Sequence, residues 1–130
     1  MAAVAGQHAI ACAGLTPEDI DVVILATCTP DSIVPSAAAH VQRKLGAVNA
    51  SVYDINAACA GFVYALEQGK AFVESGLYKR ALVIGSEHIT WLLIGQIEIL
   101  QSYLEMEQEQ LLLKKVNPQK MVKYCLSLMV

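Results

Sequence analysis

The sequence predicts an α/β fold for its first 91 residues, because segments of helical composition alternate there with short strand-like segments. Two strand-like segments, Val22–Ala26 and Ala81–Gly85, are apolar along their whole length and partly β-branched. Strands that are apolar on both faces are typical of a sheet covered by helices on both sides. The whole chain has 130 residues, which indicates one domain.

The chain begins with a predicted helix, a turn and a strand. Residues 2–13 are rich in alanine, and Gly14 marks the end of a helix over them. Thr16 opens the sequence "TPED", which is typical of a helix cap and predicts a short turn. The apolar run Val22–Ala26 follows as the first strand.

A loop and a second helix come next. The segment "TCTPDSIVPS" holds two prolines, an aspartate and two serines, which is the composition of a loop. Ser36 then has the position of an N-cap, and the helix that it begins ends at Gly46.

Two further strands enclose a third helix. The short segment Ser51–Ile55 is rich in residues that favour strands, and Ala81–Gly85 is a second strand of the buried type. Between them the sequence "ACAGFVYALEQGKAFVESG" repeats apolar residues at helical spacing. It predicts a helix that begins at about residue 59.

The composition changes after Trp91. Residues 92–130 are rich in glutamate, glutamine, lysine and leucine, and contain one glycine and one proline. A rough apolar stripe predicts one or two amphipathic helices over 97–115 that cover apolar surface. We therefore divide the chain into residues 1–91 and a divergent tail, 92–130, which is helical or disordered.

Charge and hydropathy exclude some classes of function. The net charge is −3 and basic residues occur in pairs at most, so nothing resembles a nucleic-acid-binding surface. No apolar run reaches the ~18 residues that a membrane span needs, and the alanine-rich start lacks the basic region of a signal peptide. We expect a cytoplasmic protein that binds neither nucleic acid nor membrane.

The four cysteines show neither a CxxC pair nor a histidine at metal-ligand spacing, so no metal site is predicted. Cys59 differs from the others because it lies where a strand ends and a helix begins. The unpaired N–H groups of a helix start favour a thiolate and can donate to an oxyanion. Small neighbours, among them Ala60 and Gly61, leave room for a substrate carbonyl. The alternative is that Cys59 is a small buried hydrophobic residue.

Nucleophilic catalysis also needs a proton acceptor, and the candidates are His8, His40 and His88. Each is a weak candidate, since a single histidine on a helix face or after a strand is more often a surface residue.

Three segments of the chain carry a resemblance to a known family. The sequences "AGLTPEDIDVVILATCTPDSIVPSAAAHVQRKLGA", "YDINAACAGFVYAL" and "SGLYKRALVIGSE" resemble the amino-terminal half of ketoacyl-acyl-carrier-protein synthase III, the condensing enzyme that starts bacterial fatty acid synthesis. The resemblance runs from about Ala2 to Trp91 in order and with natural spacing. The stretch "AACAGF" followed by "YAL" is its most specific part.

The resemblance implies a partial thiolase-like fold of α/β/α layers and a Claisen condensation that needs no cofactor. Cys59 would be acylated by acyl-CoA and would pass the acyl group to malonyl-acyl-carrier-protein. The backbone N–H of Cys59 would donate to the oxyanion, beside Ala60 and Gly61. The family's loop before the second helix reaches across a homodimer, so Val34 would touch the partner's primer. The strand Ser51–Ile55 would lie at the dimer edge.

The chain also departs from the family's pattern. Family members are longer, and their catalytic histidine and asparagine lie in a half that has no counterpart here; the three histidines of this chain do not match their motif positions. The pattern breaks near Leu92, as in a truncated or frame-shifted gene, whereas the alternative is a genuine helical extension. We therefore expect a synthase III type acyltransferase fragment that is inactive alone. The alternatives are a non-catalytic remnant that dimerises or binds an acyl chain, and an unrelated α/β binding module.

Overall fold

The computed structural model describes residues 1–88 and the backbone of a strand at 110–114. The helices and strands alternate as the sequence predicts, with two short 3-10 turns between them, at Pro17–Asp19 and Ala58–Ala60. In chain order the elements are α1 (Ala2–Cys12), β1 (Val22–Ala26), α2 (Ala37–Leu45), β2 (Ser51–Ile55), α3 (Gly61–Glu74), β3 (Arg80–Gly85) and β4 (Gln110–Lys114).

The four strands form one sheet in the order β2-β1-β3-β4. Strand β1 pairs in parallel with both β2 and β3, and β4 pairs antiparallel with β3. In this register Val22 lies opposite Ser51, and Ala26 lies opposite Ile55 and Gly85. Because β1, β2 and β3 end at the same level, the loops that follow them emerge at one edge of the sheet.

Helices cover both faces of the sheet, which gives the α/β/α layers expected from the sequence. Alternate residues of a strand point to opposite faces, and the core accordingly divides into two clusters. On one face Val23 and Leu25 of β1 pack with residues of α1 and α2. On the other face Val22 and Ile24 pack with Ala65 and others of α3.

The predicted caps are formed. The Ser36 hydroxyl accepts a hydrogen bond from the backbone N–H of Ala39, and Gly46 ends α2 in the left-handed conformation, with φ of 80°. Gly14 has φ of 65° just after α1. A side chain other than hydrogen is disfavoured at such angles, which explains why glycine ends these helices.

Asp21 fixes the amino ends of the parallel strands. Its Oδ2 accepts hydrogen bonds from the backbone N–H groups of Lys79 and Arg80, both at 2.8 Å. Its own backbone N–H donates to the carbonyl of Arg80, and its carbonyl accepts from the N–H of Ser51. A single residue therefore joins the starts of β1, β2 and β3.

Three boundary predictions need correction. Strand β3 begins at Arg80, one residue earlier than predicted, because Arg80 already pairs in the sheet. Helix α3 begins at Gly61, and Cys59 lies in the preceding 3-10 turn. The prediction of helix over 97–115 is wrong at Gln110–Lys114, where the backbone pairs with β3 as a strand.

The rest of the predicted tail helices, at 97–109 and 115, lies outside the described residues. The division of the chain at residue 91 stays a prediction. Within the part of the chain that the structure describes, no helix combines the length and the apolar character needed to cross a membrane.

Candidate active site

Three loops meet at the carboxyl edge of the parallel strands, where ligands bind in open α/β sheets. They follow β1 at Thr27, β2 at Asn56 and β3 at Ser86. Backbone hydrogen bonds continue across them: the N–H of Thr27 donates to the Ile55 carbonyl at 3.0 Å, and the N–H of Ser86 donates to the Ala26 carbonyl at 3.1 Å. The first residues of the loops after β1 and β3 are therefore held by hydrogen bonds to the last residues of neighbouring strands.

Cys59 lies in the loop after β2 and is exposed to solvent. It occupies the middle of the 3-10 turn Ala58–Ala60, directly before the first residue of α3. The sequence had left open whether Cys59 is a buried packing residue, and its exposure argues against that alternative. An exposed thiol at the entry to a 14-residue helix can be reached by a substrate from solvent.

The residue before Cys59 has an unusual backbone conformation. Ala58 has φ of 45°, in the left-handed region that residues with a Cβ rarely adopt. Its N–H lies 3.4 Å from Oδ1 of Asn56. Such conformations cost free energy and cluster at functional sites. Here the sharp change of chain direction at Ala58 places Cys59 outside the strand and before the helix.

Ala60 is partly buried and Gly61 is buried at the start of α3. A Cβ on Gly61 would lie 3.6 Å from the Cβ of Ala26, which is an ordinary van der Waals contact. The buried positions of α3 continue with Ala65, Gly69 and Val73, so the helix presents mainly small residues to the sheet. This close packing fixes the start of α3, and with it the position of Cys59.

Val34 belongs to the loop between β1 and α2 and is 87% exposed, as is Ile33. The peptide bond from Val34 to Pro35 is cis. The hydroxyl of Ser32 donates to the carbonyl of Pro35 at 2.7 Å and is 3.1 Å from Nε2 of His40. Two neighbouring apolar side chains are thus held out into solvent by a loop with its own hydrogen bonds.

A cluster around Glu87, which the sequence reasoning missed, joins the loops after β1 and β3. Oε1 of Glu87 accepts from the backbone N–H of Cys28 at 2.7 Å. Oε2 accepts from the Cys28 thiol at 3.2 Å and from the Thr29 hydroxyl at 2.7 Å. The signal was present in the sequence, because Cys28, Thr29 and Glu87 each follow a buried strand, and the ends of parallel strands meet.

The cluster changes the acidity of Cys28. Burial raises the pKa of the Cys28 thiol above its ordinary value of 9.0, and the hydrogen bond to Glu87 and the charge of Glu87 raise it further. A charge on Cys59 acts weakly in the same direction, and a backbone hydrogen bond of Cys28 lowers the pKa in part. Cys28 is therefore a weakly acidic thiol next to the exposed one.

The three candidate histidines are all exposed and lie on different parts of the chain. His8 and His40 are exposed on α1 and α2, and His88 is exposed directly after Glu87. Among the hydrogen bonds of the described residues, none joins a histidine ring to Cys59. The same part of the chain contains no group of three histidine, cysteine or acidic residues arranged to hold a metal ion.

The family model and the related sequences that match this chain carry the same description. The family described as 3-Oxoacyl-[acyl-carrier-protein (ACP)] synthase III matches residues 53–94, which include Cys59. The chain is 50% identical over 93 residues to beta-ketoacyl-[acyl-carrier-protein] synthase III 2 of Vibrio cholerae, a match over 72% of this chain and 26% of that protein. It is 55% identical over 87 residues to the synthase III of Clostridioides difficile, again over 26% of that protein.

Solved structures show the same relation. The 3-oxoacyl-[acyl-carrier-protein] synthase III of Aquifex aeolicus superposes with a TM-score of 0.69 and 45% identity, over 70% of this chain and 30% of that one. The priming beta-ketosynthase of the R1128 polyketide pathway superposes with a TM-score of 0.68 and 38% identity, over 69% of this chain and 27% of that one.

The chain spans about a quarter of the length of these curated relatives. The partial thiolase-like fold inferred from the sequence motifs is confirmed by these neighbours. In the region that these comparisons cover, the chain is similar to members of the ketoacyl-acyl-carrier-protein synthase III family.

Proposed function

We propose that this chain carries the nucleophilic part of a ketoacyl-acyl-carrier-protein synthase III acyltransferase, with Cys59 as the catalytic nucleophile. The observation that carries the proposal is the exposure of Cys59 at the carboxyl edge of the sheet, in a turn that leads directly into α3. Two further observations support it: the family match includes this turn, and the first residue of the turn, Ala58, has a left-handed backbone.

The proposed half-reaction is the transfer of an acyl group from acyl-CoA to Cys59. The thiolate attacks the thioester carbonyl and forms a carbon–sulfur bond, and the carbonyl oxygen takes the negative charge. Backbone N–H groups at the turn, that of Cys59 among them, donate to this oxyanion. When the intermediate collapses, the bond to the sulfur of coenzyme A breaks and coenzyme A leaves as a thiolate. The reaction consumes no cofactor.

Ala60 and Gly61 are proposed to border the bound acyl-thioester. For Ala60 the proposed role is steric, because a larger side chain there would occupy space next to the thiol. A Cβ on Gly61 would instead face the Cβ of Ala26, so Gly61 acts through the close packing of α3 on β1. Gly61 is buried against Ala26 of β1, and Ala60 is partly buried next to Cys59.

We propose that the second half-reaction, condensation with malonyl-acyl-carrier-protein, does not proceed on this chain alone. Activation of malonate needs donors that stabilise an enolate-like transition state, and losing one such donor typically costs on the order of 10² to 10³ in rate. No histidine ring among the described residues is bonded to Cys59. Acyl carrier protein and acyl-CoA are the proposed partners of the complete reaction. We expect this reaction to take place in the cytoplasm.

A homodimer is the proposed assembly. Strand β2 lies at an edge of the sheet and is partly exposed, so its outer side can pair with another strand. Ile33 and Val34 stand exposed on a neighbouring loop, where burial by a second copy would remove apolar surface from water. In that dimer Val34 would contact the acyl group bound to the partner's Cys59.

Acylation of the purified chain with acetyl-CoA tests the proposal. We expect mass spectrometry to find one acetyl group on the peptide that contains Cys59. The variant Cys59→Ala should not be acetylated, whereas Cys12→Ala, which removes another exposed thiol, should be acetylated like the wild type. Equal acetylation of Cys59→Ala and wild type would contradict the assignment.

The alternative is a non-catalytic remnant that dimerises or binds an acyl chain, and it is favoured by the exposed apolar side chains of the loop at Val34. Two results would separate it from the enzyme. Dimerisation without acetylation of Cys59 would support the remnant. Ketoacyl product from malonyl-acyl-carrier-protein, lost in Cys59→Ala, would show that this chain performs the complete reaction.

A further inference from the structure

Among the described residues two thiols lie at the carboxyl edge of the sheet, yet the proposed function uses one of them. Cys28 follows β1 and Cys59 follows β2, and these two parallel strands are neighbours in the sheet. Two adjacent thiols could both attack a thioester. The structure therefore has to distinguish them, and the difference must come from their surroundings.

Glu87 contacts one thiol and not the other. Its two carboxylate oxygens accept three hydrogen bonds from Cys28 and Thr29: the Cys28 N–H at 2.7 Å, the Cys28 thiol at 3.2 Å and the Thr29 hydroxyl at 2.7 Å. Among the described residues no hydrogen bond joins Glu87 to Cys59. The Cys28 thiol thus donates its proton in a hydrogen bond to a carboxylate, while the Cys59 thiol is exposed to solvent.

Thr29 locks this arrangement from the other side. Its side chain is buried, with 8% exposure, so its hydroxyl must find partners within the protein. The hydroxyl donates to Glu87 and accepts from the backbone N–H of His88 at 2.8 Å. The Thr29 N–H lies 3.2 Å from the hydroxyl of Thr27. The loops after β1 and β3 are consequently fastened to each other by side chains.

We propose that Glu87 is a positioning residue that selects the nucleophile: its carboxylate holds Cys28 as a neutral, hydrogen-bonded thiol, so that Cys59 is the thiol at this edge that attacks the thioester. The inference rests on the proposed function for the role of Cys59 and adds to it the residue that keeps the neighbouring thiol out of the reaction.

The electrostatics of the cluster agree with this geometry. A negative charge next to a thiol disfavours the thiolate, and burial does the same. Burial raises the pKa of Cys28 most, and the hydrogen bond and charge of Glu87 follow. Among the described residues the charges of Glu87 and Cys59 both raise the pKa of Cys28, and a backbone hydrogen bond of Cys28 opposes them in part.

Alkylation of the full chain measures this selection directly. Iodoacetamide labelling followed by peptide mass spectrometry gives separate rates for Cys28 and Cys59 over a range of about pH 7 to 10, in which thiols titrate. The variant Glu87→Gln keeps the shape of the side chain and removes its charge. The matched control is Glu67→Gln, which removes a charge from the exposed side of α3.

We expect Glu87→Gln to shift the Cys28 profile to lower pH and to raise its labelling at about pH 8 roughly tenfold, because a neighbouring charge typically shifts a pKa by about one unit or more. Glu67→Gln should leave the Cys28 profile in place. A shift of the profile is the decisive readout, since a purely structural change in access would multiply the rate by the same factor at every pH.

The proposal is overturned if Glu87→Gln leaves the Cys28 profile unmoved, or if it changes the rate equally at all pH values. Should the variant fail to fold, the wild type decides: the midpoint of the Cys28 profile must lie above the ordinary thiol value of 9.0, and a midpoint at or below that value refutes the proposal. These readouts involve no acyl transfer. Failure of Cys59 to accept acetyl from acetyl-CoA would therefore overturn the proposed function by itself.

Discussion

Asp54 of β2 caps the helix that follows the exposed loop at Val34. Its Oδ2 accepts from the backbone N–H of Ala37 at 2.8 Å, and its Oδ1 accepts from that of Ala38 at 2.7 Å. A carboxylate at this place satisfies two of the unpaired N–H groups of α2 and lies at the positive end of its dipole. The strand that leads to Cys59 is thereby joined to the start of α2.

We predict that Asp54→Ala lowers the free energy of unfolding by about 1 to 3 kcal/mol, because it leaves two N–H groups at a partly buried site without their acceptor. Asp54→Asn keeps one acceptor and should lose less. Urea denaturation followed by circular dichroism measures both. Asp31→Ala, at an exposed loop position, is the control, and equal midpoints for Asp31→Ala and Asp54→Ala would contradict the prediction.

The left-handed backbone of Ala58 leads to a second prediction. A residue with a Cβ pays about 1 to 2 kcal/mol in this conformation, whereas glycine adopts it freely. Ala58→Gly should therefore raise the free energy of unfolding by up to about 1 kcal/mol, after the greater freedom of glycine in the unfolded chain is deducted. Thermal denaturation provides the measurement.

The matched control for this prediction is the preceding residue. Ala57 has φ of −142°, which any residue adopts, so Ala57→Gly should lower the stability. If both glycine variants are destabilised to the same extent, Ala58 stores no backbone strain that glycine can relieve.

The proposed homodimer predicts a concentration-dependent mass in sedimentation experiments. A charge in place of the exposed Val34 should weaken the dimer at least about tenfold in Kd, because an apolar side chain contributes ~1.5 to 3 kcal/mol on burial. Leu77→Asp is the control, since Leu77 is also exposed but lies in the turn between α3 and β3. A wild-type chain that stays monomeric at all concentrations would argue against the assembly.

Tyr53 predicts a specific loss of stability at high pH. Burial raises its pKa above the ordinary 10.0, and the nearby Tyr78 adds to this effect. The folded state thus holds the proton more tightly than the unfolded chain. The corresponding stabilisation is complete below about pH 10 and is lost as the pH rises through the folded-state pKa.

The comparison of wild type with Tyr53→Phe isolates this effect. The variant loses the hydrogen bond from the Tyr53 hydroxyl to Oε1 of Gln68, at 2.7 Å, so its stability should be lower at neutral pH. Above about pH 10 the gap between the two proteins should narrow, because only the wild type carries this titrating group. Tyr64→Phe, on the exposed side of α3, serves as the control. A gap that stays constant with pH would refute the prediction.

Local signals in the sequence predicted most of the fold. The bounds of Val22–Ala26 and Ser51–Ile55 agree with the strands of the structure, since each is a short run of strand-favouring residues flanked by turns. Ser36 and Gly46 marked the ends of α2 because a cap and a left-handed terminus each require particular residue types. The position of Cys59 between strand and helix followed from the same local pattern.

Other features depend on contacts that local patterns do not contain. The hydrogen bonds of Glu87 reach across 59 positions to Cys28, and they exist because β1 and β3 are neighbours in register. The segment Gln110–Lys114 has three consecutive leucines, which fit a helix or a strand equally well. The segment forms a strand because it pairs with β3, and the residues within the segment do not indicate this pairing.

The hydrogen bonds of Asp21 imply an order of assembly as the chain is synthesised. Strand β1 and its neighbour β2 are joined by α2, so that unit can form early. The hydrogen bond from the Lys79 N–H to Asp21 spans 58 positions of the chain. Closing so long a loop costs conformational entropy before the contacts of β3 compensate for this cost. Until β3 has left the ribosome, one side of β1 has no parallel partner. The edge of the sheet that carries Cys59 then lacks the loop that follows β3. Closure at Asp21 would then be a late event in the maturation of this site.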